Sequence, residues 1–242
     1  MKNSAILICF FFVAAVFAQP SGQAGTVSYT ENFGPNDHAQ YTLYFCKQES
    51  VYEKIFLPQT GPTYSIMGFV EPKIKSVYHT DLNSRQITFL EGIAFKPVTA
   101  REPIAIQWKI EADTAKIGGF KCQKATTNFK GNAYTAWFTS EIPAAFGPWK
   151  FNGLPGLILQ CQDDTGFFKV TATKVNFDAE CEIVAAKIKS AAFEKPISME
   201  RYVELKRNEN DEIFNFYQSI SPRDSFLSVE TDLTGFMREP LK

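Results

Sequence analysis

The sequence predicts a mainly β protein: a curled antiparallel sheet, drawn part-way into a half-open barrel, with one amphipathic helix near the C-terminus. Three observations predict it. Short runs rich in aromatic and β-branched residues alternate apolar and polar positions with period two. Turn clusters of Gly, Pro, Asn and Asp separate these runs. Only residues 199–208 carry a helical apolar stripe. A sheet with this many strands must curl, split or gain a cover.

The chain begins with Lys2 and an uninterrupted apolar run over 5–18. That run is shorter than the about 20 residues a membrane helix needs, and it has the length of a signal-peptide core. Val16 and Ala18 occupy the small-residue positions of a cleavage site. Residues 1–18 therefore read as an export signal. Residues 19–242 read as a single β-rich domain with a mobile C-terminal tail.

Residues 27–31 and 40–46 read as strands on either side of the turn cluster Gly34-Pro35-Asn36-Asp37. In the second, Tyr41, Leu43 and Phe45 alternate with Thr42 and Tyr44. Residues 51–57 continue the pattern, and Pro58 and Pro62 bound a loop. Residues 76–80 and 85–90 form a hairpin across Asp81-Leu82-Asn83-Ser84. The stretch 97–103, proline at both ends, reads as a break. Residues 104–108 then read as a strand burying Ile104, Ile106 and Trp108.

A turn at 116–119 leads to 120–129, which pairs with 133–139 over Lys130-Gly131-Asn132. Gly131 and Asn132 tolerate positive φ there. Residues 157–162 and 167–175 make the clearest hairpin, closed by Asp163-Asp164-Thr165-Gly166. Ser198 caps a helix over 199–208, with Met199, Tyr202 and Val203 on one face. The acidic stretch 209–212 interrupts it, and 213–217 fits either a resumed helix or a strand. The tail follows Pro222.

The composition, 45% hydrophobic and 14% aromatic, is enough to build a core. A net charge of −1 gives no basic field for nucleic acid. No second apolar run is long enough to span a membrane. With the signal removed, Cys46, Cys122, Cys161 and Cys181 remain, and an even count in an exported chain permits disulfides. In the strand readings above, Cys122 and Cys161 both point inward. Cys122–Cys161 is the favoured pair, and two buried free thiols fit the same positions. No C-x-x-C, H-E-x-x-H, G-x-S-x-G or phosphate-binding loop occurs, so neither a metal site nor a cofactor is expected. The two histidines, His38 and His79, read as a turn residue and a strand-end residue.

Residues 116–162 depart from ordinary strand-and-turn sequence. Gly147-Pro148-Trp149-Lys150-Phe151 runs into Gly153-Leu154-Pro155-Gly156-Leu157-Ile158. Upstream lie the block 119–125, Tyr134-Thr135-Ala136-Trp137 and Glu141-Ile142-Pro143. Together these resemble the GLPGLI family, over about a fifth of the chain. The resemblance implies an exported protein of a Gram-negative envelope, with no settled biochemical role. It also implies a genomic setting that often includes outer-membrane receptors.

Prolines that fix φ, and glycines that admit conformations closed to other residues, make a stiff loop carrying Trp149 and Phe151. Such a loop is either a sheet corner whose rings plug the core or a wall of a binding site. No titratable group lies within 153–159, so the motif itself performs no acid–base chemistry. The leading expectation is a non-catalytic envelope protein binding a partner protein or an amphiphilic ligand in the concavity. Trp137, Trp149 and Phe151 would face that ligand, with Glu141 as a polar contact. One alternative is a secreted hydrolase using two carboxylates, for which Glu141 and Asp163 are the pair to measure. Another is an assembly protein pairing through a sheet edge. The expected location is the periplasm, the outer membrane surface or the medium.

Overall fold

In the computed structural model, the described residues are 24–33, 37–55, 74–177, 179–191 and 193–220. The export signal, the loop at 58–62 and the tail after Pro222 lie outside them.

The strands are β1 (Ala24–Phe33), β2 (Asp37–Cys46), β3 (Glu49–Ile55), β4 (Val77–Asp81), β5 (Gln86–Ile93), β6 (Lys96–Pro103), β7 (Lys109–Ile117), β8 (Phe120–Phe129), β9 (Asn132–Thr139), β10 (Leu157–Asp163) and β11 (Phe168–Asn176). They form one antiparallel sheet in the order β6-β5-β4-β3-β2-β1-β11-β10-β9-β8-β7. Two meanders, β1–β6 and β7–β11, join where β1 pairs with β11. The edges β6 and β7 do not pair, so the sheet is not closed. Among the described residues there are three helices, α1 (Cys181–Lys189), α2 (Met199–Arg207) and α3 (Glu209–Ile220).

The period-two pattern maps onto one buried inner face. The paired residues Val27, Leu43, Tyr52, Tyr78, Phe89 and Ala100 form a row across six strands, and all are buried. Tyr41 stacks on Tyr52 at 4.6 Å. Rings in such contact contribute about 0.5–1.5 kcal/mol beyond area burial. The Asp81 turn forms as expected, its carboxylate accepting from the Asn83 N–H at 2.9 Å and the Ser84 hydroxyl at 2.7 Å. Ser198 caps α2 by accepting from the Arg201 N–H at 3.3 Å.

Four local expectations are corrected. The stretch 97–103 is not a break but edge strand β6, where proline's missing N–H faces away from the ladder. Residues 104–108 are not a strand. Ile104, Ile106 and Trp108 are half-buried as their alternation indicates, but the segment crosses from one edge to the other without a ladder partner. In the β8–β9 turn the positive-φ residues are Lys130 (φ 49) and Gly131 (φ 84) rather than Asn132. The acidic stretch 209–212 does not interrupt the helical region but opens α3, and of the two outcomes open for 213–217 the helix is the one that forms.

A further difference is α1, a helix the sequence did not predict, which covers the outer face. Val184 and Ile188 pack with Ala24, Cys46 and Val51. Glu53, on that face, takes Lys187 at 2.8 Å and Lys75 at 2.7 Å. Cys181, at the first turn of α1, is bonded to Cys46, with the Cα atoms 5.5 Å apart.

The favoured Cys122–Cys161 pair does not form. Cys161 stands level with Ala136 and Ala125, so Cys122 lies two strands away and three residues out of step. Two strand spacings are about 10 Å, beyond the about 7 Å Cα limit of a disulfide. Both are buried free thiols whose pKa burial pushes up, away from the reactive thiolate.

Candidate functional site

The motif segment between β9 and β10 folds back across the inner face. The chain doubles on itself where Phe146 bridges Asn152, and Gly153 N–H donates to the Ala145 carbonyl at 2.9 Å. Two further bonds seat the segment at the start of β10: Leu157 N–H to the Ile142 carbonyl at 3.0 Å, and Ile158 N–H to the Phe146 carbonyl at 3.0 Å. Trp149 sits at φ 53, a left-handed conformation that a bulky side chain adopts only when its surroundings impose it. Burial of the ring supplies that constraint. Trp149 and Phe151 are 2% and 1% exposed, and they pack at 5.2 Å from each other among Tyr134, Phe129 and Phe168. The stiff loop therefore packs as a plug, with both rings inside the core.

Beneath the plug lies a charged cluster. Lys150 is fully buried. Its Nζ is 2.7 Å from Glu102 Oε1 and 3.6 Å above the centroid of the Phe89 ring. Glu102 Oε2 takes Lys130 at 2.6 Å. One carboxylate on edge strand β6 thus holds both the plug and the β8–β9 turn. The neighbouring Glu91 accepts from the Tyr78 and Tyr202 hydroxyls, each at 2.5 Å. Burial alone raises the Glu91 pKa, but the Lys150 and Lys206 charges and the two hydroxyls outweigh it and hold the carboxyl below its ordinary range.

This shift has a signed consequence. With the folded pKa depressed, Glu91 contributes stability above its ordinary value of about 4.5, and that contribution is lost as pH falls through the folded value. Urea denaturation at a series of pH values is expected to show a steeper acid loss in the wild type than in Glu91→Gln. Parallel profiles would sink the assignment.

The remaining candidate residues are dispersed. Trp137 is half-buried on β9, level with Lys124 and Gln160. Glu141 is exposed and accepts from the Lys121 N–H at 2.8 Å. Asp163 accepts from the Thr165 hydroxyl at 3.0 Å within its hairpin turn. The β9–β10 ladder runs from Thr139–Leu157 to Tyr134–Asp163. Glu141 follows the first end and Asp163 occupies the other, so about 20 Å of strand separates the two acids. The structure does not bring that pair together. Within the motif, Leu154, Gly156, Leu157 and Ile158 are buried, while Gly153 and Pro155 reach the surface.

Among the described residues, no group of three or more His, Cys, Asp or Glu side chains is placed to hold a metal ion. Among them also, no helix is long and apolar enough to cross a membrane. An open cleft of about 320 Å³ lies outside the plug, between the 104–108 crossing and the β10–β11 turn. The sequence reading missed both the Lys150–Glu102 contact and this cleft. Lys150 stood in view inside the motif, but its partner comes from a distant strand.

Comparison with known proteins places this architecture. The N-glycanase peptide, N-terminal domain family matches residues 75–195, half of the chain. Two solved structures of PNGF-II, in the C2 and P21 space groups, share the fold with TM-scores of 0.55 and 0.53 at 13% and 14% identity. Each match covers 77% of this chain but only 33% and 34% of the PNGF-II chain, so the chain spans about a third of those proteins. No curated protein matches it in sequence.

Proposed function

The chain belongs to the N-glycanase N-terminal domain family, and on that premise we propose that it is an exported binding module that recognises a glycosylated envelope partner through its outer surface and does not turn that partner over. The observation that carries this reading is the burial of Trp149 and Phe151 in the core. Trp149 and Phe151 are packed inward among other rings, so they do not offer a ligand-facing wall, which favours recognition through the exterior. The matched family is named for the N-terminal domain of an N-glycanase, which supports a glycan-bearing partner. The Cys46–Cys181 disulfide fits an oxidising compartment, and we place the protein in the periplasm or on the outer membrane. The motif 147–158 supports the finer assignment to the GLPGLI group within that setting.

Two other readings have less support. A carboxylate hydrolase built on Glu141 and Asp163 would need the two acids in one cleft. Assembly through edge strand β7 is opposed by the register irregularity between Ile110 and Thr114 and by the charges of Lys109, Glu111, Asp113 and Lys116, which blunt an edge.

The test uses a glycoprotein carrying high-mannose N-glycans, passed over the immobilised full chain and then examined for gel mobility. Retention with unchanged mobility is expected. A mobility drop that reports glycan release, or no retention at all, would overturn the reading.

A further inference from the structure

We propose that the Cys46–Cys181 bond is a redox latch. Closed, it holds α1 over the outer face of β1–β3. Opened by a dithiol reductant, it lets that helix leave while the sheet stays folded.

Left to itself, α1 is a weak helix. It has nine residues, and isolated helices shorter than about 12–15 residues are marginal in water. Its N-cap residue, Glu180, makes no side-chain capping bond among the described residues, and a missing cap weakens a helix start. The covalent bond at Cys181 secures that first turn instead. Further along, Val184 and Ile188 are its buried side chains. They enter a small cluster with Ala24, Cys46 and Val51 that is separate from the main core.

Departure of α1 leaves the rest of the molecule its own support. β1, β2 and β3 keep their ladders and pack Val27, Leu43 and Tyr52 into the main core on the opposite face. Glu53 loses Lys187 but keeps Lys75 at 2.7 Å, so its buried carboxylate is not orphaned. The chain on either side of the helix is anchored. Upstream, Asn176 pairs with Thr26. Downstream, Phe193 stacks on His79 at 6.2 Å, and the Ile197 N–H donates to the Thr99 carbonyl at 2.9 Å. Stability so unevenly distributed permits local opening without global unfolding. The opening uncovers an apolar strip of Ala24, Tyr44 and Val51.

Cys181 is half-buried and Cys46 is 5% exposed, so the sulfur on α1 is the one within reach. A thiolate of the reductant bonds to the Cys181 sulfur, and Cys46 leaves as a thiolate and takes a proton. The second thiol of the reductant then displaces Cys181 and closes the reductant's own disulfide. The protein gains two electrons and two protons, and the reductant is oxidised by the same amount. Exposure of the strip is thereby tied to the thiol–disulfide balance of the compartment.

The test is hydrogen–deuterium exchange of the full chain in three forms: untreated, reduced with dithiothreitol, and as the variant Cys46→Ser/Cys181→Ser. In both open forms the amides of 181–190 are expected to lose their protection, while β1–β3 and β8–β10 keep theirs. Trypsin cleavage at Lys187 and Lys189 is expected to quicken at least tenfold, since cleavage tracks the population of the open form. Unchanged exchange in α1 would overturn the proposal, because the apolar cluster and the ion pair would then hold the helix alone. Protection lost from the whole sheet together would also overturn it, by making the bond a global staple. Dithiothreitol added to the serine variant is expected to change nothing. A further loss of protection there would place the effect outside this bond and remove the latch.

Discussion

Replacing Glu102 with alanine is expected to destabilise the protein by about 3–5 kcal/mol, the cost of breaking a buried ion pair by removing one partner. The charge that loses its short ion pair is Lys150, which is fully buried, has the Phe89 ring on one side and Glu102 on the other, and also acts on the Glu91 carboxylate. A cation over a ring gains a fraction of what a carboxylate supplies. Lys130, the second cation on Glu102, is 17% exposed at its side chain and can turn to water. The matched control is Glu102→Leu with Lys150→Met, which replaces the charges with apolar groups of similar volume. This double variant is expected to recover part of the loss, because it removes both partners of the short ion pair, while Glu91 forfeits the Lys150 charge and keeps that of Lys206. Urea midpoints measure both. A double variant no more stable than Glu102→Ala would show that overall packing, and not the broken Lys150–Glu102 ion pair, sets the cost.

Gly156→Ala is expected to cost about 3 kcal/mol, the upper end of what overpacking usually exacts. A Cβ at this position would lie 2.1 Å from the Thr139 carbonyl oxygen and 2.6 Å from its carbon. Both belong to backbone at the end of β9, which cannot rotate aside. Gly153 offers the contrast within the same motif. A Cβ there meets nothing within 4 Å, so Gly153→Ala pays only for its φ of +89, about 1 kcal/mol. Melting curves of the two variants decide. Equal losses would mean that backbone conformation, and not the close approach of the motif to β9, explains why glycine is needed at position 156.

The parts of the fold legible in sequence were those in which one local signal has one cause. β2 alternates because one of its faces is buried, and the Asp81 and Asp163 turns carry their own hydrogen-bonding side chains. β6 was hidden because two prolines look like a break unless the strand is known to lie at an edge. Residues 104–108 misled because half-burial of an extended chain produces the same alternation with or without a ladder. α1 escaped because its stripe is thin: Val184 and Ile188 are buried, but Ile183 between turns is 67% exposed. The aromatic motif was readable as a stiff segment, and its inward orientation was one of two open outcomes. The ion pair beneath it and the cleft beside it were not readable. Both depend on which distant strands become neighbours, and no spacing along the chain records that.

The seam between β1 and β11 bears on how the molecule comes into being. Val27 pairs with Val175, about 150 residues further along, and the Cys46–Cys181 bond spans the same divide. Non-local pairing of this kind is slow to form, because loop closure must come before any reward from contact. The first meander therefore has an unclaimed flank until the final strand has left the ribosome or the translocon. Maturation is a late, concerted event, and a chain halted short of β11 would present β1 as an open template to other chains.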